Sequence, residues 1–505
     1  MALTITLLLY NCSSEKDGSI NYLGQDPPGL SAELFSPGLI TTDSMEHSAP
    51  AFSPDGKVVL WTVLDRSYRA SMMEMAFENG KWSAPRRPTF ADSTADDYYP
   101  SFSPDGKSLY FSSRRKVPAG FPDDRGIRIW RVERNDGRWG SPVLFDTTVL
   151  KGENYAHSIT KDGTMYYSTS KGGSVNWCLY SVQKTSEGHL KSELLPYSIN
   201  SVDYEDGPYV APDESFLIFE SQRPEGLGGS GDLYISFRSS DGGWNIPVNM
   251  GPKINSIATE RFARLSPDGK FLFFGSTRNS SATRIGFDIY WIDAEIINEL
   301  RKEATAQSKI HIPLGNEIIS SLYKNEIDSA SRKLKTWLGL HPNSLDATVI
   351  YSSLLRKQKN FSEADSVLSG SSVAWKENTS IVMEKALVKF GLNEGDEARK
   401  LLEPILVEGD QLRERYIYLS SALVDMEKFE VSDSYFEKAM LIHASPFPYF
   451  RRGCAYARIG QKERAFVALE KAVDLGMGPR KEFEDNLDLA SLKSDGRWKR
   501  LMDRI

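Results

Sequence analysis

Phe52-Ser53-Pro54-Asp55-Gly56-Lys57 decides the fold, because the stretch comes back. It recurs as Phe102-Ser103-Pro104-Asp105-Gly106-Lys107 and as Leu265-Ser266-Pro267-Asp268-Gly269-Lys270, with weaker copies at Lys161-Asp162-Gly163 and Ala211-Pro212-Asp213-Glu214. The anchor aspartates 55, 105, 162, 213 and 268 stand 50, 57, 51 and 55 residues apart. Pro-Asp-Gly is a turn with a mechanism: proline presets φ, aspartate bonds the local backbone, and glycine takes the positive-φ position. Apolar-rich runs follow it at 58–63, 108–112 and 271–275, so each copy reads as a hairpin.

Outward from the hairpin lies a third apolar run, at 127–132, 178–182, 232–237 and 288–292. In three units a Gly-containing turn then leads to Trp82, Trp139 or Trp244, with Pro85, Pro142 or Pro247 three residues on. Four strands in about fifty residues, five times over, is the pattern of a propeller blade. Proline in the fourth strand suits an exposed outer edge. The reading is a β-propeller over 31–295 with five blades, six remaining open if a degenerate unit is hidden. After Trp291 no fourth strand follows. Residues 33–40 offer it from the other end of the propeller, which would close the ring and remove its edges.

Beyond 296–317, read as a linker or helix, the period changes. Ala330, Ala364, Ala398, Ser432 and Ala465 lie 34, 34, 34 and 33 residues apart, and the last unit adds Tyr449, Gly453, Tyr456, Gly460, Leu469 and Ala472. Small residues let paired helices approach, while large ones fill the gaps between pairs. Residues 318–505 are therefore predicted to form an α-helical superhelix ending in a cap.

Both periods resemble known repeats. The Ser-Pro-Asp-Gly-Lys units resemble the WD40-like repeats of TolB-type propellers over Ala32 to Ile292. That resemblance implies a periplasmic protein binding partners through its propeller face, but fixes fold rather than function. The 34-residue units resemble tetratricopeptide repeats. By that family's spacing the concave groove would expose Met383, Leu387, Phe390, Ile417, Val424, Phe447, Phe450 and Cys454. Such an apolar groove suits an amphipathic helix.

The N-terminus carries an apolar run from Leu3 to Tyr10, ending at Asn11-Cys12-Ser13-Ser14. It is too short to span a bilayer and has the length of a secretory apolar region. A run ending in one cysteine resembles a bacterial lipoprotein signal. It departs from that pattern in lacking a basic start and in placing Tyr10-Asn11 where small residues are usual. The resemblance implies a signal segment 1–12, a lipid on Cys12, a linker 13–30, and a periplasmic or outer-membrane-associated lipoprotein. Membrane contact would run through the anchor alone.

Composition removes several classes. The chain has 505 residues, enough for two to four domains, and a formal net charge of -7. Its longest basic run is Arg114-Arg115-Lys116, which argues against nucleic acid. Three cysteines cannot build a disulfide framework or a four-cysteine metal site. Gly106-Lys107-Ser108 imitates the end of a phosphate loop, yet Ser101 stands where that motif needs glycine. The six histidines include no His-Glu-x-x-His, and no Gly-x-Ser-x-Gly elbow occurs, so no metal or cofactor is expected.

One charged pattern remains. An acid stands eight or nine residues before each anchor aspartate and a base nine to eleven after it: Glu46 with Arg66, Asp97 with Arg114, Glu153 with Lys171, Glu205 with Arg223, and Glu260 with Arg278. Hairpin geometry brings both sets to the face opposite the Pro-Asp-Gly turns. They read either as ion pairs locking the blades or as an exposed rim docking a peptide or glycan. Catalytic acid and base need unequal environments, and these recur symmetrically. The expectation is a non-catalytic interaction scaffold of the bacterial envelope, binding protein partners at the propeller face and helical groove. The rival is a carbohydrate-active propeller like a glycoside hydrolase, with carboxylates converging in its funnel.

Overall fold

A computed structural model describes residues 20–505 apart from 66–68, 120–125, 146–149, 151–152, 171–176, 186, 188–189, 197, 202–203, 224–230, 240–241, 257, 280–285, 308–315, 324–325, 372–375, 377, 408–411, 443, 445 and 479. Cys12 and its signal segment, Arg66 and Lys171 lie outside the described residues.

Five antiparallel sheets form a five-bladed β-propeller, followed by a helical region. The innermost strands are Met45–Glu46 with Ala51–Phe52, then Asp97–Phe102, Asn154–Ile159, Glu205–Val210 and Glu260–Leu265. Each pairs with a second strand across the repeated turn, and third and fourth strands continue the blade. The turn works as its residues require. Asp55 accepts from the Lys57 N–H at 3.1 Å, Ser53 Oγ accepts from the Val58 N–H at 2.9 Å, and Gly56 sits at φ 66°. In blade four, where glycine is missing, Glu214 takes the left-handed position at φ 57°.

The last blade is closed as the sequence suggests. Glu33–Leu34 pairs with Asp288–Asp293, placing Glu33 opposite Trp291 and Leu34 opposite Tyr290. Phe35 follows, fully buried, its ring 4.8 Å from Phe273 and 5.1 Å from Trp291. Part of the stretch read as linker is also seated on the propeller. Tyr22 is buried against Phe52 and Phe271 and donates to Asp268 Oδ1 at 2.6 Å, while Gln25 bonds the backbone at Leu34 and Ser36.

Ile296–Gln307 packs Ile296, Ile297, Leu300 and Ala304 onto the apolar residues of blades four and five. Helices then follow in pairs joined by short turns. Examples are Leu345–Lys357 with Phe361–Ser369, Thr379–Gly391 with Gly395–Leu402, and Pro446–Arg458 with Lys462–Asp474. The five small residues at the 34-residue spacing, Ala330, Ala364, Ala398, Ser432 and Ala465, are all fully buried. Lys359, Asn393, Glu427 and Gly460 hold the same left-handed position in four successive turns.

Candidate functional site

The recurring acids are buried latches. Asp97, Glu205 and Glu260 open their inner strands, Glu46 ends the short strand Met45–Glu46, and all four are 2% exposed or less. Glu260 accepts from the Ser256 N–H and hydroxyl at 2.8 Å each, from the Ser276 hydroxyl at 2.6 Å, and from Arg278 Nη2 at 3.3 Å. Glu205 repeats this with the Ser201 N–H, the Ser221 hydroxyl and Arg223, 3.6 Å away. The arginines go on to the loop carbonyls of Ile254 and Ile199. Each latch thus ties the loop entering a blade to the end of its second strand.

Three expectations change here. Asp97 pairs with Arg115, whose Nη2 lies 2.8 Å from both carboxylate oxygens, while Arg114 reaches Glu153 of the next blade at 3.4 Å. In blade three the latch position is the buried Asn154, and Glu153 stands one residue earlier and half-exposed. An exposed rim of acids is replaced by a buried ring, since carboxylates need these donors to stay inside.

Glu46 receives the Thr42 N–H and hydroxyl, at 3.2 and 2.8 Å. Burial nevertheless raises its carboxyl from 4.5 to about 7. The folded state therefore holds its proton more tightly than the unfolded one, so ionising Glu46 costs stability. Relative to Glu46→Gln, the wild-type chain should lose stability as pH rises from about 5 to about 7 and show a constant gap above that. Parallel pH profiles of the two melts would contradict this assignment.

The residue after each latch is where the blades stop being alike: His47, Tyr98, Tyr155, Asp206 and Arg261. The inner strands of blades two to five shift register just beyond, between Tyr98 and Ser101, Asn154 and His157, Asp206 and Tyr209, and Arg261 and Arg264. Bulges of this kind re-aim side chains. Tyr99 and Phe262 accept φ of 52° and 51°, strain that bulky side chains rarely bear, and Gly207 takes 61°. A Cβ on Gly207 would come within 2.8 Å of the Phe262 ring. Tyr99 and Phe262 meet at 4.6 Å and, with Ala156, plug the channel. A void of about 10 Å³ remains beneath them. There Arg264 Nη1 crosses the channel to Ser101 Oγ at 2.9 Å.

Above the plug lies an asymmetric polar cup. His47 Nε2 is 3.0 Å from Tyr99 Oη, and burial, aided by Arg261, holds the imidazole neutral at about 3. Asp206 takes the Tyr204 hydroxyl at 2.8 Å, the Ser168 hydroxyl at 2.5 Å and the Gly207 N–H at 2.6 Å. Arg261 stacks between Phe262 and Phe287, 4.8 and 4.6 Å from their centroids. Its Nε lies 3.3 Å from Glu220 Oε2. Glu220 is fully buried, which raises its carboxyl to about 7 against the pull of Arg261. Gly231 makes room for it, since a Cβ there would lie 2.5 Å from Glu220 Oε1.

The expected helical groove is not open where it was placed. Met383, Leu387, Phe390, Val424, Phe450 and Cys454 are buried between the helices, leaving Ile417 and Phe447 half-buried. Pairing the helices consumes the very face that the spacing selects. A cavity of about 510 Å³ opens elsewhere in the array, where Tyr416 stacks on Tyr435 at 5.8 Å with Lys438 above, over Leu402, Leu406 and Val431. Among the described residues no group of His, Cys, Asp and Glu could hold a metal ion. None of the described helices is long and apolar enough to cross a membrane.

No family model matches the chain, and no curated protein does. Solved structures do. A protein described as TolB from Agrobacterium tumefaciens is 20% identical over 45% of this chain and 69% of its own, with a TM-score of 0.32. A glycoside hydrolase is 10% identical over 52% of this chain and 91% of its own, at 0.35. A thermostable family-43 glycoside hydrolase is 14% identical over 53% and 91%, at 0.32. What this chain has in common with them is fold.

Proposed function

We propose that this chain is a non-catalytic binding protein of the bacterial cell envelope, lipid-anchored at Cys12, that receives its ligand in the propeller mouth and docks protein partners on tetratricopeptide-type helical hairpins. One observation carries the reading. Four of the five latch positions are buried acids that accept hydrogen bonds, whereas the positions beside the latches carry four different residue types, with strained backbone close by. Symmetric structure needs repetition, while recognition needs difference.

The carbohydrate-active alternative draws on Asp206 and Glu220, two carboxylates in unlike settings. Glu220 is sealed behind Arg261, and the oxygens of Asp206 already take three donors. A general acid or base must reach the proton it moves, so no hydrolysis is expected on an oligosaccharide panel.

The test is affinity capture from native envelope with the full chain. Tyr155, half-buried and edge-on to Trp177 at 4.4 Å, can be truncated without touching a latch. Tyr155→Ala should lower partner capture about ten-fold, the scale of a lost aromatic anchor, with a near-normal melt. Equal capture would refute the mouth site. In the same fractions Cys12→Ser should move the protein to the aqueous phase, and an unchanged partition would remove the anchor.

A further inference from the structure

The fourth residue after the latch is Ser101 in blade two, Ser158 in blade three, Tyr209 in blade four and Arg264 in blade five. Blade five therefore sends a guanidinium into the channel where two other blades send a hydroxyl. Arg264 Nη1 donates to Ser101 Oγ at 2.9 Å, and among the described residues no carboxylate pairs with it. Burial lowers its pKa only to about 10, so it is a cation at neutral pH.

The void of about 10 Å³ beneath the plug draws its lining from all five blades, with Ser48, Tyr99, His157, Gly207, Phe262 and Arg264 among the wall residues. Two of these side chains hold buried polar atoms that bond to none of the described residues: Ser48 Oγ and His157 Nε2, on residues 4% and 1% exposed. Such orphans are rare in folded proteins. Burial lowers the imidazole pKa to about 4, so His157 is neutral and adds no charge. With its proton on Nε2 it is a donor, and Nδ1 can then accept from the Ser112 hydroxyl, 3.4 Å away. The wall thus offers N–H and O–H donors around a cation that has no counter-charge, an arrangement that is strongly unfavourable inside a protein.

We propose that the propeller axis holds a monatomic anion, chloride, bound by Arg264, the Ser48 hydroxyl and the Nε2–H of His157. The void has room for one water-sized species, which excludes a carboxylate or a phosphate. Water would leave the Arg264 charge unopposed, whereas a halide offsets it, and the long arginine side chain supplies the small give that the larger ion needs. Its ligands come from blades one, three and five, so the ion ties the closed ring together at its centre. The plug separates it from the mouth, where the helical array comes down: Arg451, on Pro446–Arg458, donates from Nη1 to Gln222 Oε1 at 2.6 Å. The anion and a mouth ligand are separate occupants, and neither reading depends on the other.

The full chain, freed of halide by exchange into sodium gluconate, is melted as sodium chloride replaces gluconate at constant pH and ionic strength. Wild type should melt about 3 °C higher in chloride, the shift for a ligand at ten times its Kd, and Arg264→Gln should melt alike in the two salts. No shift in wild type, or a shift that persists in Arg264→Gln, overturns the proposal. Should that variant fold poorly, Ser48→Ala, which removes one charge-assisted hydrogen bond, should need about ten-fold more chloride for half the shift, and an unchanged requirement overturns it. Crystals of wild type in sodium bromide locate the ion. Its anomalous peak should stand within hydrogen-bond distance of Arg264 and Ser48, and density there without anomalous signal, a water, overturns the proposal as well.

Discussion

Phe35→Ala should destabilise the propeller by about 3–5 kcal/mol, the range for truncating a buried phenylalanine. The ring fills the seam between the last blade and the first, touching Phe273 and Trp291 on one side and Phe52, 6.2 Å away, on the other. Its backbone N–H extends the closing strand by donating to the Ile289 carbonyl at 2.8 Å. Removing the ring leaves a cavity among aromatic residues too rigid to collapse into it. The closing strand is only two paired residues long, so side-chain packing supplies most of the closure. Chemical denaturation of the full chain and the variant measures the loss. A change below about 1 kcal/mol, typical of a surface substitution, would mean that the ring is closed by something other than this wedge.

Glu260→Ala should cost a similar amount, about 3–5 kcal/mol, because it strands a cation and several donors inside the protein. Were the pair on the surface, exchanging it as Glu260→Arg with Arg278→Glu would be nearly neutral. Here Glu260 also accepts from the Ser256 N–H and from the Ser256 and Ser276 hydroxyls, and an arginine in its place accepts from none of them. The double reversal should therefore be no more stable than the worse single change. A reversal that restores the wild-type melt would return the pair to the surface and undo the latch.

Much of the propeller was legible because its signals are local. A Ser-Pro-Asp-Gly-Lys turn carries its own geometry, and three full copies with two weaker ones at blade spacing leave few architectures. The 34-residue spacing of Ala330 through Ala465 was equally local, since a helix pair requires smallness at the crossing. Two things were not legible. Partner choice between neighbours such as Arg114 and Arg115 depends on the direction each residue points at the end of a strand, and spacing does not reveal it. The cup is not legible from repetition, because its positions, His47, Tyr98, Tyr155, Asp206 and Arg261, carry four different residue types. Aligning the repeats and reading the column beside the latch would have found them. The same alignment shows Ile199-Asn200-Ser201 returning as Ile254-Asn255-Ser256. The buried Asn200 and Asn255 clamp both backbone groups of Leu179 and Leu233, a blade-to-blade tie that spacing alone passed over.

If Cys12 carries the proposed lipid, the seating of the N-terminal stretch bears on which way the protein would face. Ile20 packs where a side chain on Gly56 would stand, and Tyr22 binds Asp268, so both lie across the Pro-Asp-Gly turns of the first and last blades. From a lipid at Cys12, the eight or so residues to Ile20 can span about 28 Å at full extension. The turn face would then look toward the bilayer, and the mouth with its helical array would look away into the aqueous compartment. A ligand would approach from the side remote from the lipid, meeting the helical array and the cup together, with the thickness of the propeller between it and the membrane.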